Sequence, residues 1–196
     1  MVRHVQEEVV LIKDKVIVVT GIWLAMCIFP VSIAAPAAID ASAVPRQSVG
    51  VPVRVVIPTA HIDAPIMSLG KDQYGYMQAP SDATTVGWYK YGVKPGEKGN
   101  AVLDGHLDSE TDPGVFYAIQ KLRMGDRIGI GDDMGESRTF EVFDIRVYDA
   151  YNFPMRDILG PTESKNLQLI TCYGEFDQLR YSYMERLVVS ARLVIE

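Results

Sequence analysis

The sequence is short of the residues that do most chemistry. Two cysteines, Cys27 and Cys172, and three histidines are spread over 196 residues. Positive charge is in deficit: 19 Lys and Arg stand against 25 Asp and Glu, for a net charge of −6, and no basic cluster breaks the pattern. That argues against nucleic acid as a partner. There is no internal repeat and no low-complexity segment, and the composition is globular rather than disordered. What is left fits one domain of ordinary size with an attached segment.

Charge is absent altogether from Val16 to Ile39, a run of apolar and small residues. About 20 apolar residues suffice for a helix to cross a bilayer. Lys13 and Lys15 precede the run and Asp40 follows it, so the positive-inside tendency puts residues 1–15 in the cytoplasm and everything after Asp40 outside. The reading is a single-pass anchor over 16–39. A cleaved signal peptide is the competing reading, since Ala-x-Ala-like sites occur at Ala35-Pro36-Ala37 and Ala41-Ser42-Ala43; a buried core helix is the third. Both membrane-targeting readings export the chain beyond Asp40. Residues 40–50 are small, polar and proline-containing and read as a linker, leaving 51–196 as the domain.

Export changes what the cysteines mean. Cys27 lies within the apolar run, so Cys172 has no partner in the exported domain. Exported proteins usually pair their cysteines. A single thiol left over is either a small buried hydrophobe or a reactive group.

From Val51 onward short apolar runs alternate with turns. Strands are expected at Val53–Ile57, Ile62–Ile66, Val86–Tyr91, Asn100–Asp104, Arg127–Gly131, Thr139–Tyr148, Leu167–Thr171 and Leu187–Val194. Val115–Leu122 has near-helical apolar spacing and reads as a helix. Residues 150–165, with Pro154 and Pro161, read as a long loop. Many short strands with little helix predict a closed or nearly closed β-barrel. On the Leu167–Cys172 strand, Leu167, Leu169 and Thr171 share one face, and Gln168, Ile170 and Cys172 share the other.

Only a few per cent of an ordinary thiol is thiolate at neutral pH, so a nucleophilic Cys172 needs a base or a cation nearby. The exported domain offers His61 and His106. His61 sits in a polar turn. His106 follows Leu103-Asp104-Gly105 at the exit of an apolar strand, as Cys172 does. Acyl transfer also needs donors for an oxyanion. Arg186, opening the last apolar strand, is one candidate, and Arg180, in the polar loop before it, is the rival. Asp108, Glu110 and Asp112 alternate in a loop, and Asp132-Asp133 make a second acidic pair. Calcium wants several oxygen ligands, and solvated acidic loops are the simpler reading, so neither a metal nor a cofactor is implied.

His106, then Leu169-Ile170-Thr171-Cys172, then Arg186 with an apolar strand behind it resembles the sortase family. The family's cysteine motif is Thr-Leu-x-Thr-Cys; here Leu169, Thr171 and Cys172 match and Gln168 departs from the leading threonine. Ile57-Pro58 with Ile62–Ile66, the segment Val102–Ser109, Gly114–Tyr117 and Leu122–Asp126 resemble the family too, so the likeness runs from about Val53 to Val194. Ile170–Asp177 is closest to the class F branch, with Tyr173 where that branch has a glycine.

The resemblance implies an eight-stranded barrel with one or two short helices and a cysteine transpeptidase anchored in the cell membrane, its domain outside. Cys172 would attack the sorting motif of an exported protein, of the Leu-Pro-x-Thr-Gly kind. An amine, from a cell-wall precursor or a pilin lysine, would release the acyl-enzyme. His106 would serve as acid and base, Arg186 and the Tyr173 backbone N–H as oxyanion donors, Thr171 would line the site, and residues 150–165 would recognise substrate. Alternatives are an L,D-transpeptidase-like enzyme, which usually has a glycine where Thr171 stands, and a tethered binding module with an inert cysteine.

Overall fold

The computed structural model describes residues 48–194. These residues group as one compact unit. The expected anchor over 16–39 and the tail before it lie outside the described residues, among which no helix is long and apolar enough to cross a membrane.

Eight strands close into a barrel: β1 (Pro52–Ile57), β2 (Ile62–Leu69), β3 (Val86–Tyr89), β4 (Gly99–Asp104), β5 (Arg127–Asp132), β6 (Ser137–Asp149), β7 (Lys165–Asp177) and β8 (Ser182–Leu193). Their order is β1-β2-β3-β4-β7-β8-β6-β5, with β5 returning to β1. Closure leaves no long sheet edge to cover. Two neighbours run parallel, β2 with β3 and β4 with β7. The second pairing matters most, because it lays the strand that ends before His106 beside the strand that carries Cys172.

Alternation builds the core. Ala101 and Leu103 of β4, Leu167 and Leu169 of β7, and Leu187 and Val189 of β8 point inward and are buried. Phe116 and Ile119, from the β4–β5 connection, are buried in the same cluster.

The expected helix over Val115–Leu122 is corrected. It is a short 3-10 turn, Tyr117–Lys121. The buried residues Phe116, Ile119 and Leu122 recur every third position, which is the repeat of a 3-10 turn and not of an α-helix. The α-helix of the domain, α1 (Met155–Leu159), instead lies in the stretch read as loop. Residues 49 and 50, read as the end of the linker, are held by the barrel: Lys94 Nζ donates to the Val49 carbonyl at 2.7 Å, and Gly50 N–H donates to Asp132.

Asp132 is the hub of that attachment. Its buried carboxylate accepts from the backbone N–H groups of Gly50, Met134 and Glu136 and from Arg138 at 2.7 Å. Burial pushes its pKa up, but Arg138 and the three N–H groups outweigh that and hold it below the usual carboxylate value. A lowered pKa contributes stability that is present above the unfolded value, about 3.9, and lost as pH falls through the folded value. Asp132→Asn is expected to cost about 2 kcal/mol at neutral pH, because it leaves the half-buried guanidinium of Arg138 without its charged partner. The variant should also lose part of the parent's destabilisation below about pH 4. Thermal unfolding across pH 2.5–7 checks both; equal stability at pH 7 would remove Asp132 from this role.

The outer face of β4, β7 and β8 is unusual for a barrel exterior, because one end of it is covered. There Asn166 Nδ2 and Gln168 Nε2 donate to Asn100 Oδ1, and Ser190 Oγ donates to Gln168 Oε1 at 2.6 Å. Asn100 Nδ2 donates in turn to the Gly160 carbonyl, just past α1. This polar network ties residues 155–160 down over that end of the face. The other end stays partly open, and it carries Asp104, Ile170, Cys172 and Arg186.

Candidate active site

Cys172 lies on the outer face of β7, as alternation predicts, directly across from Arg186 of β8. Its thiol is half-buried and not in a disulfide. One residue later the two strands go out of register: Tyr173 still pairs with Glu185, but Phe176 pairs with Tyr183. The extra residue makes a β-bulge, with Gly174 at φ +80°. That conformation favours glycine. Such bulges bend a strand and re-aim it, so β7 turns away immediately beyond Cys172.

His106 reaches the same end of the barrel from β4. Asp104 pairs with Ile170 of β7, and the next residue, Gly105, donates its N–H to the Ile170 carbonyl at 3.3 Å. A Cβ on Gly105 would sit 2.7 Å from the Phe116 ring, so only glycine lets the chain pass there. The loop after His106 folds back on itself. Gly114 N–H donates to the Leu107 carbonyl and Phe116 N–H to the His106 carbonyl. The ring is fixed by Nε2, 2.8 Å from the Pro80 carbonyl. A carbonyl only accepts, so Nε2 carries the proton and Nδ1 is the ring atom left to exchange one.

Thr171 is corrected. It does not line the open face beside Cys172. It is 1% exposed on the opposite, inward face, and its hydroxyl donates to the Gly105 carbonyl at 2.7 Å. It clips the strand that carries Cys172 to the glycine that precedes His106. Tyr173 also turns its side chain toward the core. Of the two arginines, Arg180 lies in the β7–β8 turn, paired with Asp177 at 2.7 Å and stacked 5.3 Å from the centre of the Tyr151 ring. Arg186 is the one beside the thiol. Its Nη1 donates to the carbonyls of Tyr183 and Glu185 at 3.0 and 2.8 Å. His61 is exposed in a left-handed turn.

The electrostatics of the thiol are mixed. Burial pushes its pKa up, Arg186 pulls it down, and Asp104 and Asp108 push it up again. The thiol is therefore protonated at neutral pH. Asp104 was not singled out in the sequence. It is pushed up to about 6, chiefly by burial, against the pull of His106, Arg186 and the Gly105 N–H. Its position two residues before His106, at the end of the strand, was the available signal. Among the described residues no hydrogen bond joins Cys172 to His106.

A strand-borne thiol, an imidazole from the loop that follows the neighbouring strand and a guanidinium opposite the thiol are the parts needed for acyl transfer. Solved structures with the same fold include sortase C-1 of Actinomyces oris (24% identity, 74% of this chain and 72% of that one, TM-score 0.58). A lid mutant of sortase A from Corynebacterium diphtheriae (23%, 78% and 75%, TM-score 0.59) and sortase C of Clostridium perfringens SM101 (21%, 74% and 71%, TM-score 0.56) are also similar. No curated protein matches the chain. The family model of the sortase domain matches residues 55–194, nearly the whole described barrel, and the chain belongs to the sortase family of cysteine transpeptidases.

Proposed function

We propose that this sortase cleaves a sorting motif of the Leu-Pro-x-Thr-Gly kind in exported proteins and transfers the acyl group to an amine. The observation that carries the reading is the placement of Cys172 opposite Arg186, with His106 at the exit of the adjacent parallel strand. The thiol attacks the scissile carbonyl, its proton passes to His106, and the tetrahedral oxyanion forms beside Arg186. The Tyr173 backbone N–H, next in the chain, is the second donor. Collapse of the intermediate breaks the C–N bond; His106 gives its proton to the leaving amine, and a thioester remains on Cys172. The incoming amine loses a proton to His106, attacks the thioester and restores the thiol. The segment over 150–165, part of which is tied to the closed end of the face, supplies recognition of the motif.

The acceptor is a cell-wall precursor or a pilin lysine, and an uncleaved segment over 16–39 holds the enzyme in the cell membrane with its domain outside. Within the family the sequence around Cys172 points to class F. Incubating the chain with a library of motif peptides, with and without an added amine, tests the reaction. Cleavage at one motif, with a new amide formed only when amine is present, is the expected result. Cleavage with no amide at any amine concentration would leave a hydrolase, and no cleavage of any peptide would overturn the reading.

A further inference from the structure

Two residues outside the three-residue constellation tie its halves together. Asp108 lies two positions beyond His106, on the folded-back loop. Tyr183 lies near the start of β8, three positions before Arg186. The Tyr183 hydroxyl donates to Asp108 Oδ2, although the two are 75 positions apart in sequence. The carbonyl of the same Tyr183 accepts from Arg186 Nη1 at 3.0 Å. One continuous path therefore runs from the His106 loop through Asp108 and Tyr183 to the arginine that faces Cys172.

The tyrosine is well held for this task. Its ring packs edge-to-face on Phe176, with centroids 5.2 Å apart, and Phe176 packs likewise on Tyr181 at 5.5 Å. Phe176 is the first residue of β7 to pair again after the bulge. The clasp thus anchors the histidine loop to the part of the β7–β8 hairpin that lies beyond the bulge. A hydrogen bond to a carboxylate is stronger than one between neutral groups. The tyrosine keeps its proton for it: the bond to Asp108, then burial, then the charges of Asp108 and Cys172 push the phenol up to about 12.

The need for such a tie follows from the site. No hydrogen bond joins His106 to Cys172 among the described residues, and the ring's own bond runs away to Pro80. The imidazole comes from a loop, whereas the thiol and guanidinium come from paired strands. We propose that Asp108 and Tyr183 form a clamp that sets the position of His106 relative to the Cys172–Arg186 pair, both acting as positioning residues for the transfer. The inference rests on the transpeptidase reading above.

The test compares Tyr183→Phe, Asp108→Asn and the double variant with the parent, each in the full chain, on a motif peptide that the parent cleaves. Misplacing a reacting group by about 1 Å costs up to about a hundredfold. Each single variant is expected to lower kcat by about tenfold to a hundredfold, with KM for the peptide and the thermal midpoint essentially unchanged. The double variant should be no worse than the worse single one, because Tyr183→Phe removes and Asp108→Asn weakens the same bond. Amide hydrogen exchange over residues 106–112 should speed up in Tyr183→Phe. An unchanged kcat, an effect on KM alone, a loss of stability parallel to the loss of rate, or full additivity would overturn the clamp. If the parent cleaves no peptide, the transpeptidase reading fails, and the clamp is then judged by exchange alone: faster exchange over 106–112 supports it, and unchanged exchange sinks it.

Discussion

Cys172→Ala is expected to reduce cleavage of the motif peptide by about 10⁵-fold or more, to the floor of the assay. Removing a covalent nucleophile takes away the step that splits one hard reaction into two easier ones, and losses of that order follow in enzymes of this kind. The fold should be indifferent to the change. Cys172 is half-buried at the open end of the outer face, while the core is built by the opposite face of β7, from Leu167, Leu169 and Thr171. Alanine there leaves no core cavity, so the melting temperature should stay within about 2 °C, in keeping with the small effects of substitutions outside the core. The thiol itself gives a second readout. Burial and the two carboxylates Asp104 and Asp108 raise its pKa against the pull of Arg186. The rate of alkylation by iodoacetamide should therefore rise with pH through a midpoint above that of a free thiol, since only the thiolate reacts. Cleavage at the parent's rate by Cys172→Ala would end the mechanism outright. A midpoint below that of a free thiol would mean that Arg186 dominates the two carboxylates.

Why some of this was legible in the sequence and some was not can be traced residue by residue. The faces of β7 followed from alternation alone, because a buried strand has a period of two, and Cys172 fell on the face opposite Leu167, Leu169 and Thr171, which proves to be the outer one. The same rule applied to Thr171 points inward. Reading it as lining the site came from its place in the motif, and the geometry of the strand overrules that. Residues 115–122 misled for a different reason. Apolar positions near helical spacing do not distinguish a repeat of 3.0 from one of 3.6 over so short a stretch, and the buried set Phe116, Ile119 and Leu122 follows the former. The parallel pairing of β4 with β7 joins segments 66 positions apart. No local pattern announces it, although the family resemblance implied the barrel that contains it. The acidic residues were the least legible. Asp104, Asp108 and Asp132 are ordinary letters until their surroundings are known. One proves to sit beside the thiol, one accepts from Tyr183, and one gathers three backbone N–H groups and an arginine.

Arg186→Ala is expected to lower turnover at least about a hundredfold, the usual consequence of deleting an oxyanion donor. The argument is geometric. Arg186 stands directly across the ladder from Cys172, so a carbonyl under attack by the thiol lies within reach of the guanidinium. Nη1 is engaged by the carbonyls of Tyr183 and Glu185, which leaves Nε and Nη2 of the five-donor fork for the substrate. Those two bonds also fix the fork before substrate arrives, so little has to be reordered as charge develops on the oxyanion. Arg186→Lys keeps the charge but loses the planar fork, and should fall between the parent and alanine. The control is Arg180→Ala. That guanidinium is exposed in the β7–β8 turn and already paired with Asp177, so its removal should leave turnover within about twofold, as expected of a surface change away from the reacting groups. A hundredfold loss in Arg180→Ala with little change in Arg186→Ala would move the oxyanion role to the turn, and would require the β7–β8 turn to fold over Cys172 when substrate binds. Equal losses in both variants would instead mean that the two arginines share the charge. The structure argues against that, because Asp177 and the Tyr151 ring already hold Arg180 in the turn.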